Sequence, residues 1–203
     1  MTIIRTVEEL AAIYGEPVRT SIIKELDRIS DDHRQFIEAA PFVIVATSGP
    51  EGLDCSPRGD PAGFVRVVDD KTLLIPDRRG NNRVDSLRNL VRDPRIALLF
   101  LIPGIGETLR ANGRAVLSSD LELRESFAIG SKVPAIVIVV TVESVYTQCP
   151  KALIRSKLWD PETQIPRSAL PSAGQILQNI TCGEIEADAF DEAYVVRVKE
   201  TIY

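Results

Sequence analysis

Apolar residues along this chain change their spacing twice. Near the N-terminus they recur at helical intervals, in Val7 to Tyr14 and Ser21 to Ile29, and a third helix capped by Asp31 or Asp32 runs to Ala39. Pro41 closes that region, because it has no N–H to continue a helix. Runs rich in β-branched residues then take over at Phe42 to Thr47, Phe64 to Val68, Thr72 to Ile75, Ile96 to Leu101, Leu109 to Leu117 and Ala135 to Val145. These six read as strands. Turn residues separate them at Ser48 to Gly52, Gly59 to Gly63 and Gly104-Ile105-Gly106, and one helical stretch (Val84, Leu87, Leu90, Val91) interrupts them. Past an irregular connection from Pro161 to Ala173, helical spacing returns at Gly174 to Asn179 and Phe190 to Thr201. Six strands with few helices between them favour a mainly β (α+β) fold, a six-stranded antiparallel barrel with N- and C-terminal helices. The expected division is a helical arm over 1–40, the barrel over 41–160, and a C-terminal connection with helices packed on the barrel over 161–203.

Composition narrows the chemistry. A chain of 203 residues can bury about 70% of the surface it exposes when unfolded. Its net charge of −5 and pI near 5.1 argue against nucleic acid as the main partner, since binders of phosphate backbones usually carry a basic face. Cys55, Cys149 and Cys182 are too scattered for a disulfide framework or a metal cluster, so no metal is expected and a reducing, cytoplasmic setting is. Acidic residues within the first ten positions argue against a signal peptide, and no apolar stretch reaches the roughly 20 residues of a membrane span. The single histidine, His33, is expected to be a solvated residue of a polar helix. There is no G-x-G-x-x-G after a strand, no nucleophile elbow and no Walker loop. A chain without these either performs no chemistry or borrows it from a cofactor.

One segment points to such a cofactor. In TLLIPDRRGNNRVDSLRNLVRDPRIALLFL (Thr72 to Leu101), a strand runs into a turn holding Arg78, Arg79, Gly80, Asn81, Asn82 and Arg83, which opens a helix. Guanidinium groups just ahead of a helix N-terminus, with its unpaired N–H groups, make a site for a dianionic phosphate. Arginines in an exposed turn are also ordinary solvated surface when taken alone.

The same stretch, with its helix ending in Asp93-Pro94-Arg95 and the following GETLRANGRAVL (Gly106 to Leu117), resembles the FMN-binding split-barrel flavoproteins, the pyridoxamine 5′-phosphate oxidase-like group. The resemblance covers roughly residues 40 to 160, and KALIRSKLWD (Lys151 to Asp160) is similar to one uncharacterised subgroup. It implies an FMN-binding type of split barrel and a homodimer with cofactor sites at the subunit interface. Contacts to FMN are implied for Ser56 and Arg58, where the family places a strand, for Ile75, Pro76 and Asp77 at a strand end, and for Arg79, Asn81, Asn82 and Arg83 in the phosphate turn. Arg83 is expected to carry the main phosphate contact, with Asn81 and Arg79 assisting. From a partner subunit the resemblance implies Thr108, Arg110, Lys151, Arg155, Ser156 and Trp159. If their segment is helical, Lys151, Arg155 and Trp159 fall at i, i+4 and i+8 on one face. The catalytic residues stay unknown.

The activity the resemblance implies is FMN-dependent oxidoreduction of an unidentified small molecule. Pyridoxamine phosphate oxidation itself is not implied, because no residues for a second phosphate can be placed. Two alternatives stay open: a reductase using the deazaflavin F420 on the same fold, and a non-catalytic flavin- or haem-binding storage or sensor protein. The lone His33 weakens the haem version.

Overall fold

The computed structural model describes residues 1–203. Seven strands form one antiparallel sheet: β1 (Phe42–Gly49), β2 (Gly52–Gly59), β3 (Arg66–Val67), β4 (Thr72–Asp77), β5 (Arg95–Leu101), β6 (Thr108–Ser118) and β7 (Ile136–Gln148). Their order across the sheet is β2-β1-β5-β6-β7-β4-β3. The six-stranded barrel expected from sequence is corrected on two counts: there is a seventh strand, and no backbone ladder joins the first strand to the last.

The additional strand is β2, GLDCSPRG, which has no alternating apolar pattern to announce it. It pairs only with β1, from Gly49↔Gly52 to Phe42↔Gly59, and so lies at the sheet edge. An edge is where Pro57, which cannot donate to a ladder, and a row of polar side chains are tolerated. At the other end of the order, β3 is only two residues long, so the outer edge of β4 from Ile75 to Asp77 is left uncovered.

Eight helices accompany the sheet: α1 (Val7–Tyr14), α2 (Arg19–Ile23), α3 (Asp31–Ala39), α4 (Asp85–Arg92), α5 (Leu121–Glu125), α6 (Lys151–Ser156), α7 (Ala173–Ile180) and α8 (Ala187–Thr201). The helix expected over Ser21 to Ile29 stops early, because Leu26 leaves it to exchange backbone hydrogen bonds with Val145 of β7 at 3.0 and 2.8 Å. A tertiary ladder overrides local propensity there. The cap of α3 is Ser30, not Asp31 or Asp32: its hydroxyl accepts from His33 N–H, and His33 Nδ1 accepts from Ser30 N–H. His33 is consequently buried rather than solvated, and burial holds its imidazole below the usual histidine range.

The core lies between the sheet and α3. Alternate residues of β1 (Val43, Val45), β5 (Ile96, Leu98, Phe100) and β6 (Leu109, Ala111, Ala115) point inward, and Ile37 of α3 is fully buried with them. Each fully buried Leu, Ile or Phe contributes about 1.5–3 kcal/mol from removal of apolar surface. Gly113 sits opposite a bulge, where the β6–β7 register shifts from Asn112↔Ser144 to Gly113↔Val142. At the periphery, α1 and α2 bury no residue, and α7 and α8 pack on each other. No helix is long and apolar enough to cross a membrane.

Side chains join the two sheet edges where the backbone does not. Arg58 of β2 lies 3.4 Å from Asp77 of β4, and Arg78 Nε donates to Asp60 Oδ2 at 2.7 Å. β2, at one end of the hydrogen-bonded order, and the uncovered end of β4, next to the other, thus face each other across a gap that forms a groove.

Candidate functional site

The groove between the edges has a volume of about 1430 Å³. One wall is β2 from Asp54 to Gly59; the other is the end of β4, the turn that follows it and the first residues of α4. Six cationic side chains face it against three carboxylates, on a chain whose net charge is −5. Positive charge is therefore concentrated here.

Local structure explains how the turn presents itself. Asn82 (φ 61°) and Val84 (φ 52°) adopt left-handed backbone, which a β-branched residue rarely does. Asn81 supports the bend by accepting Arg83 N–H at 3.1 Å. Val84 occupies the N-cap of α4 and has no side chain able to cap it. The first N–H of this helix to find an acceptor is that of Arg88, on Val84 O at 2.9 Å, so the groups of Asp85, Ser86 and Leu87 are open to an anion. The helix is anchored on its inner face, where buried Asn89 donates to Thr47 Oγ1 at 3.2 Å. Gly49 leaves the space, since a Cβ there would stand 2.3 Å from Asn89 Oδ1.

The charged groups around the groove differ in what already satisfies them. Arg78 is held by Asp60, whose side chain is 1% exposed, and by Phe127 O at 2.8 Å. Tyr203 closes that corner by donating its hydroxyl to Asp60 Oδ1 at 2.9 Å, which holds the phenol above its usual range. Asp54 accepts hydroxyls from Ser86 and, at 2.8 Å, from Ser56. Burial works to raise its carboxyl, but the two hydroxyls and the charges of Arg58 and Arg83 outweigh it and leave it below the ordinary range. Arg83 pairs with Asp85 at 2.9 Å, with most of its side chain in solvent. Arg79 makes no ion pair within the chain. Arg58 is the least satisfied: its Nε is buried with no partner.

Of the residues expected from sequence, Ser56, Arg58, Pro76, Asp77, Arg79, Asn81, Asn82 and Arg83 all line this groove. Ile75, next to Pro76, turns its side chain into the core. The remaining six do not line it. Thr108 is buried at the start of β6, and Arg110 donates to Tyr146 Oη at 3.0 Å. Lys151, Arg155 and Ser156 are exposed on α6, and Trp159 donates from Nε1 to Ile105 O at 2.8 Å beside a smaller cavity of about 400 Å³. The single face expected for Lys151, Arg155 and Trp159 does not form, because α6 ends at Ser156 and Lys157 (φ 51°) turns the chain left-handed. Arg124, Lys132 and Tyr203 reach the groove from distant segments, and nothing local in the sequence marks them.

The site is thus a basic groove between two facing free edges of an antiparallel sheet. The family profile described as pyridoxamine 5′-phosphate oxidase matches residues 29–149, and the chain belongs to that family. Membership places it generally with the flavin-binding, oxidoreductase-like group. Solved structures with a similar fold include HupZ of Group A Streptococcus, at 20% identity and a TM-score of 0.48, covering 60% of this chain and 94% of that one. General stress protein 26 of Bacillus anthracis is similar at 13% identity and a TM-score of 0.42, over 56% of this chain and 88% of that one. A NimC/NimA family protein of Clostridium acetobutylicum is similar at 14% identity and a TM-score of 0.40, over 58% and 91%. No curated protein matches the chain.

Proposed function

We propose that this protein is an FMN-dependent oxidoreductase acting on a small molecule, with the flavin held in the groove between β2 and β4. The observation that carries the reading is the uncapped N-terminus of α4, flanked by Arg79 and Arg83 and facing the groove. A phosphate at the turn would satisfy the open N–H groups. Bound FMN would supply hydride or single-electron transfer, which explains why the chain needs so few acid–base groups of its own. Ionised Asp54 repels a second anion, so the phosphate belongs on the Arg79 and Arg83 side of the turn.

Purified protein should carry a yellow chromophore with an oxidised-flavin absorbance spectrum, and mass analysis of the released compound should give FMN. A deazaflavin mass would move the assignment to F420, and a protein that takes up neither would remove it. Arg79→Ala and Arg83→Ala should each weaken FMN roughly tenfold to a hundredfold, as expected for loss of one charge-assisted contact. Riboflavin, lacking the phosphate, should bind wild type and both variants within about threefold of one another. If FMN affinity also stays put, the turn is not the phosphate site.

Five of the six residues away from the groove, Arg110, Lys151, Arg155, Ser156 and Trp159, fit a homodimer in which they approach the partner's flavin, whereas Thr108 is buried within its own sheet. Support comes from exposed apolar side chains such as Leu10 and Ile13 on α1, Ile154 on α6 and Ile176 on α7. Sedimentation at micromolar concentration should give twice the 22.4 kDa chain mass. A monomer with full flavin content would remove the partner-side roles.

A further inference from the structure

We infer that residues 165–203 form a hinged cover over one corner of the groove, held shut by a single clasp in which the Tyr203 hydroxyl donates to the buried carboxylate of Asp60. The cover does not depend on which ligand the groove takes.

Little else fastens this lobe to the barrel. Its buried residues are Gly174 and Ala187, and they are buried against each other, since a Cβ on Gly174 would stand 2.2 Å from Ala187 O. Internal bonds complete the helix pair, with Gly174 N–H donating to Asp191 and Ala187 N–H to Gln178, both at 2.8 Å. No side chain of the lobe enters the core of the barrel, and Ile176, Ile180, Val195 and Val196 stay more than half exposed. Apolar burial therefore does not hold the lobe down. Hydrogen bonding is as sparse. From Ile165 onward every hydrogen bond stays within the lobe except the one from Tyr203 Oη to Asp60 Oδ1, at 2.9 Å. The chain leading in, Pro161 to Pro171, is exposed along its whole length. A lobe with a solvated tether at one end and one anchored residue at the other can swing about the tether.

The clasp sits where it controls the groove, because Ile202 and Tyr203 form part of the groove wall. Asp60 is 1% exposed and fixed by Arg78 Nε at 2.7 Å, so the acceptor is in place before Tyr203 reaches it. The Arg78 guanidinium also lies 5.8 Å from the centroid of the Tyr203 ring, a cation–π contact that adds to the clasp. When the hydroxyl lets go, Asp60 keeps Arg78. The corner thus survives an opening that exposes the groove, and one hydrogen bond to a charged acceptor shifts such an equilibrium about tenfold to a hundredfold.

Native cysteines supply the probes for a test. Cys55 on β2 and Cys182 between α7 and α8 are both exposed, and in a Cys149→Ser background each takes a nitroxide label. Pulsed electron resonance, on labelled protein mixed with an excess of unlabelled protein, then reads the distance between barrel and lobe within one chain. With Tyr203 present the distribution should be single and narrow. Tyr203→Phe, which removes one oxygen and leaves Asp60 paired, should add a longer distance, raising the ratio of open to closed about tenfold to a hundredfold. Tyr203→Ala, which also removes the ring from Arg78, should raise it further. Distributions in both variants that superimpose on the parent would overturn the clasp, as would a parent distribution already broad. With FMN as the groove probe, Tyr203→Phe should speed uptake and release by the same factor and keep Kd within about threefold. A change confined to Kd would make Tyr203 a ligand contact and overturn the cover. A protein that takes up no FMN would remove the cofactor reading, and the distances alone would then decide the cover.

Discussion

Asp60→Ala should destabilise the protein by about 3–5 kcal/mol, the cost of leaving a buried arginine without its counter-charge. The Asp60 carboxylate is 1% exposed and accepts from Arg78 Nε at 2.7 Å and from the Tyr203 hydroxyl at 2.9 Å. Arg78 is itself only 17% exposed and has one further acceptor, Phe127 O. Without Asp60, the guanidinium would either remain buried and unpaired or swing out and open the corner of the groove. Urea denaturation of wild type and variant measures the loss. Arg78→Met combined with Asp60→Leu should recover most of it, because an apolar pair has no charge to strand. A double variant as unstable as the single one would show that shape, not charge, is what Asp60 supplies.

Gly113→Ala should cost about 3 kcal/mol, a large effect for a single methyl group. A Cβ at this position would stand 2.0 Å from Thr141 O and 3.0 Å from its carbonyl carbon, both backbone atoms of the neighbouring strand. Backbone in the middle of a sheet cannot move aside as a side chain can. The β6–β7 ladder would have to part at the bulge, in the longest strand pair of the molecule. A thermal melt should show the loss. Ala111→Gly, two residues along the same strand, serves as the comparison, because it removes a methyl group without a clash. An unchanged melting temperature in Gly113→Ala would mean that the sheet relaxes more readily than its packing implies.

Periodicity found the strands that bury one face and missed the one that buries neither. Val43, Val45, Leu98 and Phe100 reveal themselves by alternation, since water enforces the pattern. In β2 both faces are partly wet, so periodicity left Leu53 to Arg58 unassigned; only the family resemblance placed a strand at Ser56 and Arg58, and the pairing with β1 forms it. His33 was misplaced for the opposite reason: a polar helix looked solvated, but Ser30 draws the imidazole into its cap. The groove was legible wherever its residues are consecutive, as in Arg79 to Arg83. Arg124, Lys132 and Tyr203 were not, because their proximity is created by the curl of the sheet and leaves no trace in local order.

That curl brings two strand edges face to face without letting them pair. Had Ser56 to Arg58 and Ile75 to Asp77 formed a ladder, about 4.8 Å would separate their backbones and no ring could lie between. The arginine and aspartate that span the gap act as struts, keeping the edges a side chain's length apart. Slot width is thereby set by side-chain reach, and shortening a strut invites the sheet to zip shut across its own groove.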